Sequence, residues 1–378
     1  MTIDAVELAR ALIRRPSVTP RDEGALDVLQ AALEPLGFAC RRLPFGEIDN
    51  LYARRGSIGP NLCFAGHTDV VPPGDPAAWR HPPFDAAIEG GVLYGRGAAD
   101  MKGAIAVFAA AAAASLGAVT GSLSLLITGD EEGVAVDGTR RVVQALQAEG
   151  ERIDHCLVGE PSSVAAVGDT VKVGRRGSLN AWMTVEGRQG HVAYPERAAN
   201  PIPVLVRLLD RLQSRRLDEG FTSFPPSNLE LTTVDVDNPA MNVIPARAEA
   251  RLNIRFNPAH TGADLIAWLE AERQDAAAAS GLNVGLRTLH SGDAFLTEPG
   301  RFTELVSETV QAVTGRRPDA STSGGTSDAR FIRALCPVVE LGLVGATIHQ
   351  VDECVALADL AELQRVYERL IAGYFETF

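Results

Sequence analysis

The 378-residue chain is poor in cysteine and in basic residues, and it lacks a long run of strongly apolar residues. Its five cysteines are scattered and contain no C-x-x-C pair, which argues against a disulfide framework and against a thiolate metal site. The 35 Lys and Arg residues against 48 Asp and Glu give a net charge of −13 with His neutral. We therefore expect no nucleic-acid partner, because such binding depends on a basic surface.

The sequence also gives little reason to expect a membrane. The longest apolar stretch, residues 104–114, is mostly alanine and falls short of the roughly 20 apolar residues that a membrane span needs, so it predicts a buried helix. Asp4 and Glu7 lie where a secretory signal would be uncharged. Together with the scattered cysteines, these features predict a cytoplasmic protein.

Helical and strand-like segments alternate over most of the chain. After two amphipathic helices, near residues 5–13 and 26–36, short apolar runs at 62–65, 122–128, 156–158 and 338–341 alternate with helical stretches. This alternation predicts an α/β domain with a mostly parallel sheet flanked by helices.

A different pattern interrupts this alternation in the middle of the chain. The segments there follow the order β-α-β-β-α-β, which is the ferredoxin-like α+β arrangement. We therefore predict an inserted domain at residues 177–290, within a discontinuous domain formed by residues 1–176 and 291–378.

Metal-binding side chains follow several of the predicted strands. His67 ends the first, Glu131 and Glu132 follow the second, Glu160 follows the third, and His349 follows the fourth region. Because functional side chains gather beyond the carboxyl ends of strands in such a sheet, we expect these residues to meet there.

Asp100 lies just before a helix and completes an N/O ligand set suited to zinc, cobalt or manganese. If Asp100 bridges two ions, each ion gains one His, one Glu and one Asp oxygen, and a position is left for water. Glu131 could then take the proton from that water, and Asp69 could orient His67. Each residue alone also has an ordinary structural explanation; the set of five carries the hypothesis.

Several longer runs have a recognisable pattern: Gly95-Arg96-Gly97-Ala98-Ala99-Asp100-Met101-Lys102-Gly103, Gly174-Arg175-Arg176-Gly177-Ser178-Leu179, Gly190-His191-Val192-Ala193-Tyr194-Pro195 and Ser321-Thr322-Ser323-Gly324-Gly325-Thr326-Ser327-Asp328-Ala329-Arg330. With the metal motifs, they make nearly the whole chain resemble the dinuclear metallohydrolase family that contains aminoacylases, acetylornithine deacetylase and certain exopeptidases. The resemblance is strongest to the branch that removes succinate from N-succinyl-LL-2,6-diaminopimelate, in lysine and diaminopimelate biosynthesis.

This resemblance implies two divalent ions per subunit, zinc first and cobalt as an alternative. His67, Asp100 and Glu160 would hold one ion, and Asp100, Glu132 and His349 the other. Glu131 would be the general base and Asp69 the partner of His67. The chain would form a homodimer through the inserted domain, and His191 and Asn242 would reach the active site of the partner subunit, His191 as an oxyanion donor.

The expected acyl-amino-acid substrate carries several carboxylates, which bidentate arginines recognise well. Arg175 and Arg255 are the candidates, although surface arginines at strand ends are an equally simple explanation. The resemblance adds further substrate-binding candidates: Ser178, Tyr194, Ser291, Gly324 and Thr326. Two rival functions stay open: deacylation of another N-acyl amino acid such as acetylornithine, and metal binding without catalysis.

Overall fold

The computed structural model of the chain describes residues 2–378, which divide into two compact units. The first unit runs up to Val173 and includes Thr297–Ser321 and Ser327–Phe378, and the second consists of Gly174–Leu296 and Thr322–Thr326. In chain order the strands are β1 (Ala39–Arg42), β2 (Leu51–Arg55), β3 (Asn61–His67), β4 (Ala87–Glu89), β5 (Val92–Tyr94), β6 (Ser122–Thr128), β7 (His155–Val158), β8 (Thr170–Lys172), β9 (Gly174–Arg175), β10 (Gly177–Glu186), β11 (Gly190–His191), β12 (Asn228–Asp235), β13 (Val243–Ile244), β14 (Arg247–Phe256), β15 (Asn283–Gly292), β16 (Phe295–Leu296), β17 (Asp319–Ser321), β18 (Val338–Glu340) and β19 (Cys354–Ala356). The helices are α1 (Ala5–Ile13), α2 (Ala25–Leu33), α3 (Gly103–Ser115), α4 (Thr139–Ala148), α5 (Ile202–Ser214), α6 (Gly262–Ser280), α7 (Arg301–Thr314), α8 (Ala329–Ile332) and α9 (Leu357–Thr377).

The first unit is built on an eight-stranded sheet in the order β1-β2-β6-β3-β7-β18-β8-β17. Its central strands β6, β3, β7 and β18 are parallel, while β1, β2 and the β18–β8 pair add antiparallel neighbours. Every residue of β3 and β6 is buried. Since successive side chains of a strand point to opposite faces, both faces of the sheet are covered. The predicted α/β class is confirmed.

The first helix begins where the sequence predicts, because the Asp4 carboxylate accepts hydrogen bonds from the amides of Val6 and Glu7. The alanine-rich helix α3 is buried along nearly its whole length. Residues 98–118 are long and apolar enough to cross a membrane by composition, but 72% of their most apolar window is buried inside the structure. In the core, the Phe64 and Phe108 rings stack with centroids 4.2 Å apart.

The second unit has a four-stranded antiparallel sheet in the order β12-β14-β10-β15. Helix α5 follows β10 and helix α6 follows β14, and the apolar residues of both helices share a core with alternate residues of the strands. The element order and the strand order are those of the predicted ferredoxin-like arrangement.

The units divide at slightly different residues from the predicted boundaries of 177 and 290. Strand β9 pairs with β16, so the two segments that lead into and out of the second unit lie together. Residues 322–326, which the prediction assigns to the discontinuous domain of residues 1–176 and 291–378, group with the second unit. There the Arg175 guanidinium donates to the Gly325 carbonyl at 3.1 Å, and the Thr322 hydroxyl donates to the Ser223 carbonyl at 2.6 Å. Dimerisation through this unit stays a prediction.

Candidate metal centre

Three of the predicted ligands follow neighbouring parallel strands of the first unit. His67 is the last residue of β3, Glu132 follows β6, and Glu160 follows β7. Because β3 is parallel to both β6 and β7, the carboxyl ends of these strands lie at one edge of the sheet. The structure thus brings these side chains together as the strand pattern predicts.

Two overlapping groups of ligand atoms lie at this edge. His67 Nε2 is 3.2 Å from Asp100 Oδ1 and 3.7 Å from Glu160 Oε1. His349 Nε2 is 2.9 Å from Glu132 Oε1 and 3.3 Å from Asp100 Oδ2. Each group has ligand atoms within 4.8 Å of one another, and Asp100 belongs to both, with one oxygen facing each histidine. This is the arrangement that the prediction of a bridging Asp100 requires.

His349 reaches the site by a different route from the one suggested by its sequence position. The fourth strand, β18, ends at Glu340, and His349 lies well beyond it, in a turn where its φ of +61° is left-handed. Its side chain is about half exposed, whereas those of His67 and Asp100 are buried. Tertiary folding of this turn, and not a strand end, positions the second histidine.

The orientation of His67 also differs in detail from the prediction. Its Nδ1 lies 2.9 Å from the main-chain carbonyl of Asp69 and 3.7 Å from the nearer carboxylate oxygen. Since a carbonyl only accepts, Nδ1 carries a hydrogen, and Nε2 is the nitrogen that faces the metal-binding group and would ligate an ion after losing its proton. The Asp69 carboxylate instead accepts hydrogen bonds from the amides of Glu131 at 3.2 Å and Glu132 at 3.0 Å. Asp69 therefore holds the segment that carries both glutamates.

The electrostatics of the site favour a cation. Although burial opposes a charge on His67, the carboxylates of Asp100 and Glu160 raise its pKa well above the ordinary value. Hydrogen bonds to Asp100 and Glu132 raise the pKa of His349 to about 10. Burial would raise the pKa of Asp100, but hydrogen bonds from His349 and His67 hold it well below its usual range. The negative charge that stabilises protons on the two imidazoles would equally stabilise divalent ions bound in their place. The imidazole nitrogens and carboxylate oxygens form a donor set that fits zinc or cobalt.

Glu131 lies beside these ligands with a different electrostatic character. Burial, together with repulsion from Glu160, raises the pKa of its carboxyl well above the usual value. A carboxylate with a raised pKa is a stronger base and a better proton donor after it has been protonated. The neighbouring glutamates can thus take separate tasks, Glu132 facing the ligand group and Glu131 handling a proton.

The structure also reveals a buried residue, Glu353, that the sequence reasoning missed. Glu353 is fully buried, and its carboxylate accepts a hydrogen bond from the Asp100 amide at 3.1 Å and from Arg96 Nη1 at 2.8 Å. The only sequence signal is the spacing of Glu353 four residues after His349, which is equally typical of an exposed turn.

The predicted substrate-binding residues all belong to the second unit, where several of them lie close together. A Cβ at Gly324, whose φ is +102°, would lie 2.7 Å from Arg175 Nη1, so the glycine lets the chain approach this buried arginine. Ser178 pairs with Arg255 across β10 and β14. Asn253, which the sequence did not single out, donates to the Ser178 hydroxyl at 3.3 Å and accepts from Arg255 Nε at 3.1 Å.

Ser291 lies next to Gly292, which pairs with Ser178 at a register shift of β15, and Thr326 is partly buried next to the Gly324 turn. His191, Tyr194 and Asn242 form a second group: strands β11 and β13 pair, and the Asn242 carbonyl accepts from the Val192 amide at 3.1 Å. The His191 and Tyr194 rings lie 5.7 Å apart, centroid to centroid. The roles of all these residues stay predictions.

Comparison with known proteins agrees with this geometry. The sequence pattern of the family described as peptidase family M20/M25/M40 matches residues 63–373. A succinyl-diaminopimelate desuccinylase of Caulobacter sp. strain K31 is 65% identical over 100% of this chain and 98% of its own length. One of Phenylobacterium zucineum is 65% identical over 99% of both chains. The crystal structure of an M20 family metallo-carboxypeptidase from Sulfolobus solfataricus, at 17% identity, shares the fold with a TM-score of 0.82 over 99% of both chains.

Proposed function

The chain belongs to peptidase family M20/M25/M40, and we propose that it hydrolyses the amide of N-succinyl-LL-2,6-diaminopimelate to succinate and LL-2,6-diaminopimelate. The observation that carries the proposal is the two overlapping ligand groups that share Asp100, with Glu131 beside them. The identity of 65% to desuccinylases over the full chain supports the succinylated substrate. The chain is a metal-dependent hydrolase, and its products place it in diaminopimelate and lysine biosynthesis.

His67, Asp100 and Glu160 would hold one ion, and Asp100, Glu132 and His349 the other. Two bound divalent ions supply Lewis-acid activation of the carbonyl and of water. Glu131 removes a proton from the attacking water as the water oxygen bonds to the amide carbon. Glu131 then gives this proton to the amine nitrogen as the C–N bond breaks.

Substrate recognition is assigned to the second unit. Arg175 and Arg255 would read the substrate carboxylates, since guanidinium groups pair with carboxylates bidentately. Ser178, Ser291, Gly324 and Thr326 would line the region around these arginines, and Tyr194, next to His191, would be a further substrate-binding residue. We assign a homodimer, in which the partner subunit's His191 would donate to the developing oxyanion and the partner subunit's Asn242 would bind substrate.

Zinc is the proposed metal and cobalt the alternative, because both suit a mixed imidazole and carboxylate donor set. We propose a cytoplasmic location: the five cysteines are free in the structure, as in a reducing compartment.

The test compares the hydrolysis of N-succinyl-LL-diaminopimelate with that of acetylornithine by zinc-loaded protein, with a chelated sample as the control. The proposal expects a strong, chelator-sensitive preference for the succinyl substrate. Preference for acetylornithine would keep the chemistry and change the substrate. No turnover of either compound would refute the proposed reaction and favour a metal-binding protein without this activity.

A further inference from the structure

Behind the metal-binding side chains lies the buried carboxylate of Glu353. It accepts four hydrogen bonds: Oε2 from Arg96 Nη1 at 2.8 Å and from the Gly97 amide at 2.9 Å, and Oε1 from the Ala99 amide at 2.9 Å and the Asp100 amide at 3.1 Å. Glu353 has no exposed surface. One side chain thus satisfies three main-chain amides of the loop that carries Asp100, and these amides would be orphaned without it.

A main-chain hydrogen bond also joins Glu353 to the loop that carries Asp100. The Glu353 carbonyl accepts a hydrogen bond from the Gly95 amide at 2.9 Å, so the loop is held at its beginning as well as at Asp100. Gly97 has a φ of +83°, a backbone conformation that turns the loop around the carboxylate. The loop conformation therefore depends on the carboxylate that it surrounds.

Arg96 fixes the position of Glu353 in turn. Its side chain is 2% exposed, and its guanidinium lies 5.2 Å from the centre of the Trp79 ring. Arg96 Nη2 also donates to the Pro72 carbonyl at 3.5 Å. A buried carboxylate with a buried cation on one side and amides on the other has few alternative positions.

The consequence concerns the bridge between the two ligand groups. Asp100 must place one oxygen 3.2 Å from His67 and the other 3.3 Å from His349, which leaves little freedom for its main chain. Glu353 holds that main chain and lies four residues after His349 on the same segment. We infer that Glu353 is a positioning residue that sets the Asp100 bridge between the two metal sites.

This inference rests on the proposed two-metal site, so its test begins with metal binding. Zinc is titrated calorimetrically into the metal-free full chain, and the visible spectrum of the cobalt-loaded chain is recorded. In Glu353→Gln one carboxylate oxygen becomes an NH₂ group, which cannot accept the hydrogen bonds that this oxygen accepts from Arg96 or from the loop amides. We expect zinc affinity to fall about 10- to 100-fold, as for other residues that orient metal ligands, and the cobalt spectrum to change. Turnover should fall through kcat, with KM nearly unchanged.

Two further variants keep the result interpretable. Glu353→Asp keeps the charge pair with Arg96 but is one methylene too short to reach all its donors, so it should fold and show a smaller loss. Glu151→Gln is the matched control, because it breaks another Arg–Glu pair, with Arg54, away from the metal edge. It should leave zinc affinity and the cobalt spectrum unchanged.

The outcomes separate the two proposals. A wild-type chain that binds no zinc would refute the proposed metal site and this inference with it. A wild-type chain that binds two ions, with folded Glu353 variants that bind them equally tightly and with the same cobalt spectrum, would refute only the positioning role. Lower thermal stability without any change in metal binding would show that Glu353 is merely structural.

Discussion

Replacing Asp69 by Asn tests how the metal edge is held together. In the structure the Asp69 carboxylate accepts hydrogen bonds from the amides of both Glu131 and Glu132, whereas His67 donates to the main-chain carbonyl of Asp69. The Asn side chain keeps one acceptor and turns its NH₂ group toward the other amide. We therefore expect the 131–132 segment to shift while His67 keeps its orientation.

The size of the effect follows from the hydrogen bond that is lost. A hydrogen bond to a charged group contributes about 1.5–3 kcal/mol, and Asp69 is fully buried, where solvent screens little. If the lost hydrogen bond displaces Glu131 and Glu132, we expect kcat to fall about 10- to 100-fold, at roughly 1.4 kcal/mol per factor of ten. Zinc affinity at the site formed by Asp100, Glu132 and His349 should fall by a similar factor.

The assay must distinguish the two metal sites. In a His349→Ala background the ligands of the other site, His67, Asp100 and Glu160, remain, and we expect adding Asp69→Asn to change zinc affinity little. A large loss in that background would refute the reasoning and restore the predicted role of the Asp69 carboxylate as the partner of His67. Asp169→Asn is the matched control, because Asp169 also accepts main-chain amide bonds in a turn of the first unit. It should lower stability only.

Three other predictions follow from the site and the core. Glu131→Ala should bind two zinc ions in a calorimetric titration but lose about 10²–10⁴-fold in kcat, as expected for a general base; near-normal turnover would remove it from that role. If the partner subunit's His191 acts across the dimer, mixing and re-pairing the inactive Glu131→Ala and His191→Ala chains should restore about a quarter of wild-type turnover, since about half of the dimers are mixed and each has one complete site. No recovery would place His191 in its own subunit's site, and an active His191→Ala chain would place it outside catalysis. His155 Nδ1 lies 3.0 Å from the Tyr374 hydroxyl, and burial lowers the pKa of this histidine. Below about pH 6.5 the unfolded chain therefore binds a proton at His155 more readily than the folded chain does, and the free energy of unfolding falls. The melting-temperature advantage of wild type over His155→Phe should shrink from pH 8 to pH 5, and a constant difference would contradict this.

Much of the site could be predicted from the sequence because its ligands follow strands. His67, Glu132 and Glu160 each come after a short apolar run, and a parallel sheet brings the carboxyl ends of such runs to one edge. Strand order thus predicts that these residues share one edge, while the distances between their side chains depend on the segments that follow β6 and β7. The strand pattern also predicts His349 as a ligand, but the turn that carries it lies far from the end of β18, so the pattern does not explain how it reaches the site.

The hydrogen-bond partners within the site were predicted less well. The sequence places Asp69 two residues after His67, which is equally compatible with a carboxylate or a carbonyl acceptor for the imidazole. No pattern in the sequence around Glu353 indicates whether its carboxylate is buried or exposed. Only the structure shows that the loop from Gly95 to Asp100 surrounds this carboxylate and donates hydrogen bonds to it.

Local sequence patterns are sufficient to predict the α/β class, the ferredoxin-like order of the second unit and the residue types at the metal edge. These features follow from local periodicity and chain order, which short-range sterics and burial convert into helices and strands. Three contacts are visible only in the folded protein: Asp100 lies between two histidines, Asp69 holds the glutamates, and residues 322–326 pack with Arg175. Such contacts join segments far apart in the chain, and their geometry depends on how the whole unit packs.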